Sequence, residues 1–86
     1  MSPLRLKHHA DLVDRMAATR GIDLEEAALR GHLTTSEISD LVLNCTGCTQ
    51  TDTCEKWLAE QVGAVSAAPH YCRNAQMFSV IANRLG

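Results

Sequence analysis

A chain of 86 residues has room for one hydrophobic core, so a single domain over residues 1–86 is expected. Charged residues, 21% of the chain, are those of a globular protein, and a formal net charge of -2 argues against the basic face that a nucleic-acid partner demands. Trp57, Tyr71 and Phe78 are the only aromatic residues, which leaves the core to Leu, Val, Ile, Ala and Met and makes a cross-link or metal staple useful.

The first expected element is a helix from about Leu4 to Arg20. Leu12, Val13, Met16 and Ala17 recur at helical spacing, and Gly21 supplies the stop. Its opening, MSPLRLKHHADLVDRM, lacks the apolar centre of a signal peptide, and no apolar run in the chain approaches the roughly 18 residues of a membrane span. The expected address is the cytoplasm, with no membrane partner. Asp23 and Glu26 form a D-x-x-E cap for a short second helix carrying Leu24, Ala27, Ala28 and Leu29, ended by Gly31. Thr34 or Thr35 caps a third helix, with Glu37 in its first turn and Ile38, Leu41, Val42 and Cys45 on one face.

The segment CTGCTQTDTC, rich in threonine around Gly47, reads as a loop. Asp52 and Glu55 repeat the capping signature, which starts a fourth helix near Thr53 and carries it to Val62, before Gly63. Ala64–Pro69 is a connection. A last helix begins between Pro69 and Arg73, with Ala75, Phe78, Ile81, Ala82 and Leu85 as its apolar stripe. No alternating strand pattern competes, so the fold class is all-α, a compact bundle of four to five short helices.

On this map the four cysteines, spaced C-x2-C-x5-C-x17-C, stop looking scattered. Cys45 ends the third helix, Cys48 lies in the loop, Cys54 is in the first turn of the fourth helix, and Cys72 is in or just before the last. Thiolates near helix N-termini are favoured by the free N–H groups and the helix dipole. Four readings follow for clustered cysteines in a reducing compartment: an iron–sulfur cluster with four thiolate ligands, a thiol/disulfide redox switch, structural zinc, or small core residues with no shared site. The first is preferred, with Cys45, Cys48, Cys54 and Cys72 as ligands. The c-type haem signature C-x-x-C-H fails, because Thr49 follows Cys48.

The run CTGCTQTDTCEKWLAE, a C-x2-C-x5-C that enters a helix, is similar to the cluster loops of endonuclease III-type DNA glycosylases and of the small helical WhiB-like regulators. Those families place their fourth cysteine upstream of the triplet, whereas Cys72 lies downstream, and the glycine–tryptophan turn and basic tail of WhiB-like proteins are missing here. No DNA-binding role is carried over. Over nearly its full length the chain resembles a family of small four-cysteine alphaproteobacterial proteins without an assigned function, through HADLVDRMA, GIDLEEAALRG, LNCTGCTQTDTCEKWLAE and HYCRNA. That resemblance implies that the four cysteines form one site, and it implies no activity.

Outside the cysteines the expectations are plain. His70, two residues before Cys72, is the histidine best placed to touch the site, though a surface imidazole is the simpler reading. His8 and His9 are turned about 100° apart on a helix and read as solvated. Trp57, three residues after Cys54, is a core anchor that also suits a shield over the site. No serine elbow, phosphate-cradling glycine loop or H-E-x-x-H motif occurs, which disfavours an enzyme. The expected function is a small cytosolic metalloprotein for redox sensing, electron transfer or the binding of a protein partner. The alternatives are a thiol switch, or a non-catalytic adaptor held together by structural zinc or disulfides.

Overall fold

A computed structural model describes residues 3–85, with side chains from Arg5 onward. Five helices follow one another: α1 Pro3–Thr19, α2 Leu24–Leu29, α3 Thr35–Thr46, α4 Thr51–Glu60 and α5 Ala75–Leu85. The chain is all-α, as expected, and no strand occurs among the described residues.

The central helix is α1, which packs along α3 and also meets α4 and α2. Its buried residues His9, Leu12, Val13, Met16 and Ala17 fall at the i, i+3, i+4, i+7 and i+8 positions of one helical face. Leu24 and Ala27 of α2, Leu41 of α3, Leu58 of α4, and Phe78 and Ile81 of α5 close the core around it, with Ile22 and Leu33 from the intervening turns.

Local chemistry sets the ends of the first three helices. Gly21 leaves α1 at φ +78°, where a side chain would be strained, and Ile22 N–H reaches back to Ala17 C=O at 2.8 Å. Gly31 repeats the arrangement after α2, with His32 N–H on Ala27 C=O at 2.9 Å. Asp23 caps α2 by accepting Glu26 N–H at 3.1 Å. At α3 the cap is Thr34, whose hydroxyl accepts Glu37 N–H while the Glu37 carboxylate accepts Thr34 N–H, both at 3.1 Å. Glu37 also meets Arg84 at 2.7 Å, tying the start of α3 to the end of α5.

The last two helices depart from expectation. The helix α4 begins at Thr51 instead of near Thr53, with Gln50 at the cap position and no side-chain cap. Asp52 therefore sits inside the first turn, where its charge still complements the helix dipole, and Glu55 turns instead to His8 Nε2 at 3.0 Å. The same helix stops at Glu60, short of Val62. Gln61 is extended there (ψ 138°), and its side-chain amide donates to Trp57 C=O at 2.9 Å, satisfying a terminal carbonyl. The helix α5 starts at Ala75, later than the Pro69–Arg73 interval, because residues 69–74 are spent on turns: Cys72 N–H bonds Pro69 C=O and Ala75 N–H bonds Cys72 C=O. Its first full helical bond is Phe78 N–H to Asn74 C=O at 2.8 Å.

The segment 61–74 is the longest stretch between helices, and it is held down. Val65 N–H donates to Thr19 C=O at 2.8 Å, while the Arg20 guanidinium reaches Val65 C=O at 3.2 Å and Ser79 Oγ at 3.3 Å. Cys72 is thereby brought back from a remote part of the chain to the ends of α3 and α4.

Candidate functional site

The link between α3 and α4 is only residues 47–50, so Cys45 in the last turn of α3, Cys48 in the link and Cys54 one turn into α4 lie at one corner of the bundle. The turn before α5 adds Cys72. All four line one cavity of about 30 Å³, whose floor is Leu12, Val13, Met16 and Phe78 and whose remaining walls are Thr51, Tyr71, Arg73 and Asn74. Cys54 is buried, the other three are half-buried, and all four are free thiols. No carboxylate lines the cavity.

Hydrogen-bond donors are directed at the sulfurs. Gln50 N–H donates to Cys48 Sγ at 3.4 Å, and the Asn74 backbone N–H favours the thiolate form of Cys72. His9 Nδ1 stands 3.3 Å from Cys45 Sγ. With the ring proton on Nδ1 the imidazole donates to sulfur, and with it on Nε2 the thiol donates to the ring.

The electrostatics run against the expected thiolate preference. Burial, followed by the charges of Cys48, Cys54 and Cys72, pushes the Cys45 thiol up to about 11. Cys54 is pushed up to about 11 by burial and then by Cys72 and Cys48, with Arg15 opposing. Cys72 is raised by burial against the help of the Asn74 N–H. Desolvation and mutual repulsion thus outweigh any helix dipole. Cys54 lies at the fourth position of α4 with its own N–H already bonded to Gln50 C=O at 2.8 Å, and Cys72 precedes α5 by three residues. These thiols keep their protons at neutral pH in the protein alone. A bound cation would release them.

The four cysteines are gathered round a space and not round a point. Among the described residues, no three His, Cys, Asp or Glu side chains stand together tightly enough, as placed, to hold a metal ion.

Of the other candidates, His70 is exposed, packs edge-on against Tyr71 with ring centroids 5.8 Å apart, and does not line the cavity. Trp57 is half-buried against the core and is likewise absent from the cavity wall, so the shield is formed by Tyr71, Phe78 and Met16 instead. His8 is exposed and pairs with Glu55, as a solvated residue would. His9 is not solvated: it is 4% exposed, and burial, aided by Arg5 and His8, lowers its pKa and keeps the ring neutral. The signal for His9 was its register, three residues before Leu12 and four before Val13.

Two further residues have no counterpart in the sequence reading. Asn74, 2% exposed, donates from Nδ2 to Leu41 C=O at 2.7 Å and accepts from Asn44 Nδ2 at 3.1 Å, so that it fastens the Cys72 turn to the helix carrying Cys45. Tyr71 hangs its ring on the cavity wall, its phenol pushed up by burial and by Cys54, Cys48 and Cys72.

The model of a family described as a family of unknown function, DUF6455, matches residues 1–84. The chain belongs to this family. The match takes in all four cysteines and the His9, Tyr71 and Asn74 positions around them. No curated protein and no solved structure shows significant similarity to the chain. Among the described residues no helix is long and apolar enough to cross a membrane.

Proposed function

We propose that this DUF6455 chain is a small cysteine-ligated metalloprotein in which Cys45, Cys48, Cys54 and Cys72 hold an iron–sulfur cluster. The observation that carries the reading is the convergence of four free thiols, from two helices, their link and a distant turn, on one carboxylate-free cavity. All-sulfur donor sets select soft metal centres. Donors already aimed at Cys45, Cys48 and Cys72 supply the hydrogen bonds that thiolate ligands need for orientation and charge. When bound, such a cluster supplies one-electron chemistry or a labile, oxidant-sensitive structural element. The protein's part is to orient the four sulfurs, exclude water with Leu12, Val13, Met16 and Phe78, and take up the charge of four thiolates.

The arrangement supports the alternatives less well. A single zinc ion with Zn–S bonds of about 2.3 Å draws its four sulfurs tightly together, whereas these surround a space. A thiol switch depends on an accessible thiolate, and Cys45, Cys54 and Cys72 are all shifted away from it. The role that follows is redox sensing, electron transfer or display of a surface to a protein partner in the cytoplasm, where thiols stay reduced. Catalysis is not part of the proposal.

The deciding experiment is purification without oxygen followed by iron and sulfide analysis and a visible spectrum. The expected outcome is a brown protein with iron and sulfide in near-equal amounts and a broad band that disappears on oxidation. A colourless chain that takes up no iron after reconstitution sinks the proposal. Stoichiometric zinc, or disulfides forming reversibly with mild oxidant, would move the assignment to the corresponding alternative.

A further inference from the structure

One polar atom on the cavity wall has no partner. The Tyr71 hydroxyl oxygen is buried yet makes no hydrogen bond. The other buried side-chain atom in this condition, Arg20 Nε, belongs to a guanidinium whose two terminal nitrogens are both bonded. Tyr71 therefore stands apart as a phenol with nothing to satisfy it. A buried hydroxyl left unmet is destabilising relative to a satisfied one, so native proteins rarely keep one without a use.

Its surroundings indicate what would satisfy it. The hydroxyl is close enough to Cys48, Cys54 and Cys72 to feel their charges, but it is bonded to none of them. The tyrosine and the four cysteines line the same cavity. The group suited to an unmet O–H beside this cavity is an acceptor carrying negative charge. The imidazole of His9 and the backbone N–H groups of Gln50 and Asn74 serve Cys45, Cys48 and Cys72 from outside. Among the polar residues of the wall, Tyr71 carries the buried donor that has no partner.

We infer that Tyr71 is a cofactor-positioning residue whose hydroxyl donates to a sulfur of the bound iron–sulfur cluster. This rests on the cluster reading above and adds a specific contact to it. A donor to cluster sulfur stabilises the more negative, reduced state and so raises the reduction potential. It also ties the cluster to the turn that carries Cys72, which slows its loss.

The inference makes opposite predictions for the same substitution in two states. Tyr71→Phe keeps the ring and removes only the O–H. In the metal-free protein it removes an unsatisfied group, so the melting temperature is unchanged or raised, by up to about 20 °C. After anaerobic reconstitution with ferrous iron and sulfide, the variant loses its cluster to a ferrous chelator roughly three to ten times faster than wild type, and its reduction potential is lower. A clear fall in the melting temperature of the metal-free variant overturns the inference, because the hydroxyl would then have a partner without any cluster. Equal chelator rates and equal potentials in loaded wild type and variant overturn it alone, leaving the cluster reading standing. A wild-type chain that takes up no cluster ends both.

Discussion

Asn74 offers the sharpest test of how the cavity is held together. Its side chain is 2% exposed and makes two bonds to α3: 2.7 Å to Leu41 C=O and 3.1 Å from Asn44 Nδ2. Each such bond contributes about 0.5–1.5 kcal/mol net, and emptying the buried amide site adds a small packing loss. Asn74→Ala should therefore lower stability by about 2–3 kcal/mol, a large share of the roughly 4–13 kcal/mol expected for a domain of this length. In a small domain this corresponds to a fall of roughly 10–20 °C in melting temperature. Asn44 is exposed, and Asn44→Ala breaks only one of the bonds, so its cost should stay near 1 kcal/mol or below. Asn74→Asp sets a carboxylate oxygen against the Leu41 carbonyl and should be worse than alanine at pH 7. It should recover as the pH is lowered far enough to protonate it. The assay is urea unfolding of the metal-free protein followed by circular dichroism. An Asn74→Ala variant within 0.5 kcal/mol of wild type, or an Asn44→Ala variant as costly as Asn74→Ala, would refute the reasoning, the first threshold being the spread of ordinary surface changes, about 0.5 kcal/mol.

Further outcomes follow from the same structure. Cys45 and Cys54 are pushed up to about 11 from the ordinary thiol value of 9.0, so the folded state holds these protons longer; their contribution to stability is full below pH 9 and is lost as the pH rises toward 11. Melting temperatures of the metal-free protein at pH 7, 9 and 10.5 should fall accordingly, and a flat profile excludes buried, coupled thiols. His9 has the opposite sign: its lowered value means that the unfolded chain takes up a proton first, so stability declines as the pH drops through 6.5. His9→Gln should flatten that decline between pH 7 and 5.5, and an unchanged slope would assign it to other groups. Gly21→Ala, at φ +78° with Ala64 Cβ 3.8 Å from the new methyl, has space but strained backbone, and should cost about 1–2 kcal/mol in urea unfolding. Gly47→Ala has an ordinary φ of -86° and instead presses on Arg73 Nε at 3.2 Å. It should leave stability nearly unchanged while shifting the accessibility of the four thiols to a chromogenic reagent. Equal reagent rates in Gly47→Ala and wild type would show that Arg73 does not cover the cavity mouth.

The parts of this fold that are legible in the sequence are those written in local chemistry. Gly21 and Gly31 end α1 and α2 by the one conformation open to glycine and strained for other residues, and Thr34 with Glu37 closes a capping box within four residues. Asp52 and Glu55 show the limit of that method. They carry the same signature, but α4 starts ahead of them and Glu55 is engaged by His8 from another helix. The cysteines were legible as a group because three of them lie within ten residues, which no packing arrangement can separate far. Their surroundings were not. Asn74 meets residues 30 and 33 positions away, and Tyr71 acquires meaning only from a cavity that three other segments complete. His9 was legible in principle from its heptad-like register with Leu12, Val13 and Met16, but its neighbour His8 disguised it as half of a surface pair.

The clasp on segment 61–74 has a consequence for how the site would capture the cluster proposed for it. Three of the sulfurs form a local claw that survives in an unstructured chain, since Cys45, Cys48 and Cys54 are never far apart along the backbone. The fourth arrives when Arg20 and Thr19, at the C-terminal end of α1, grip Val65 and shorten the free tether to residues 66–71. Shortening the tether raises the local concentration of Cys72 at the claw without any new contact there. The difference between three sulfurs and four is thus the difference between an unfolded and a folded chain. Retention of the proposed cluster would then report whether the clasp at the end of α1 is intact.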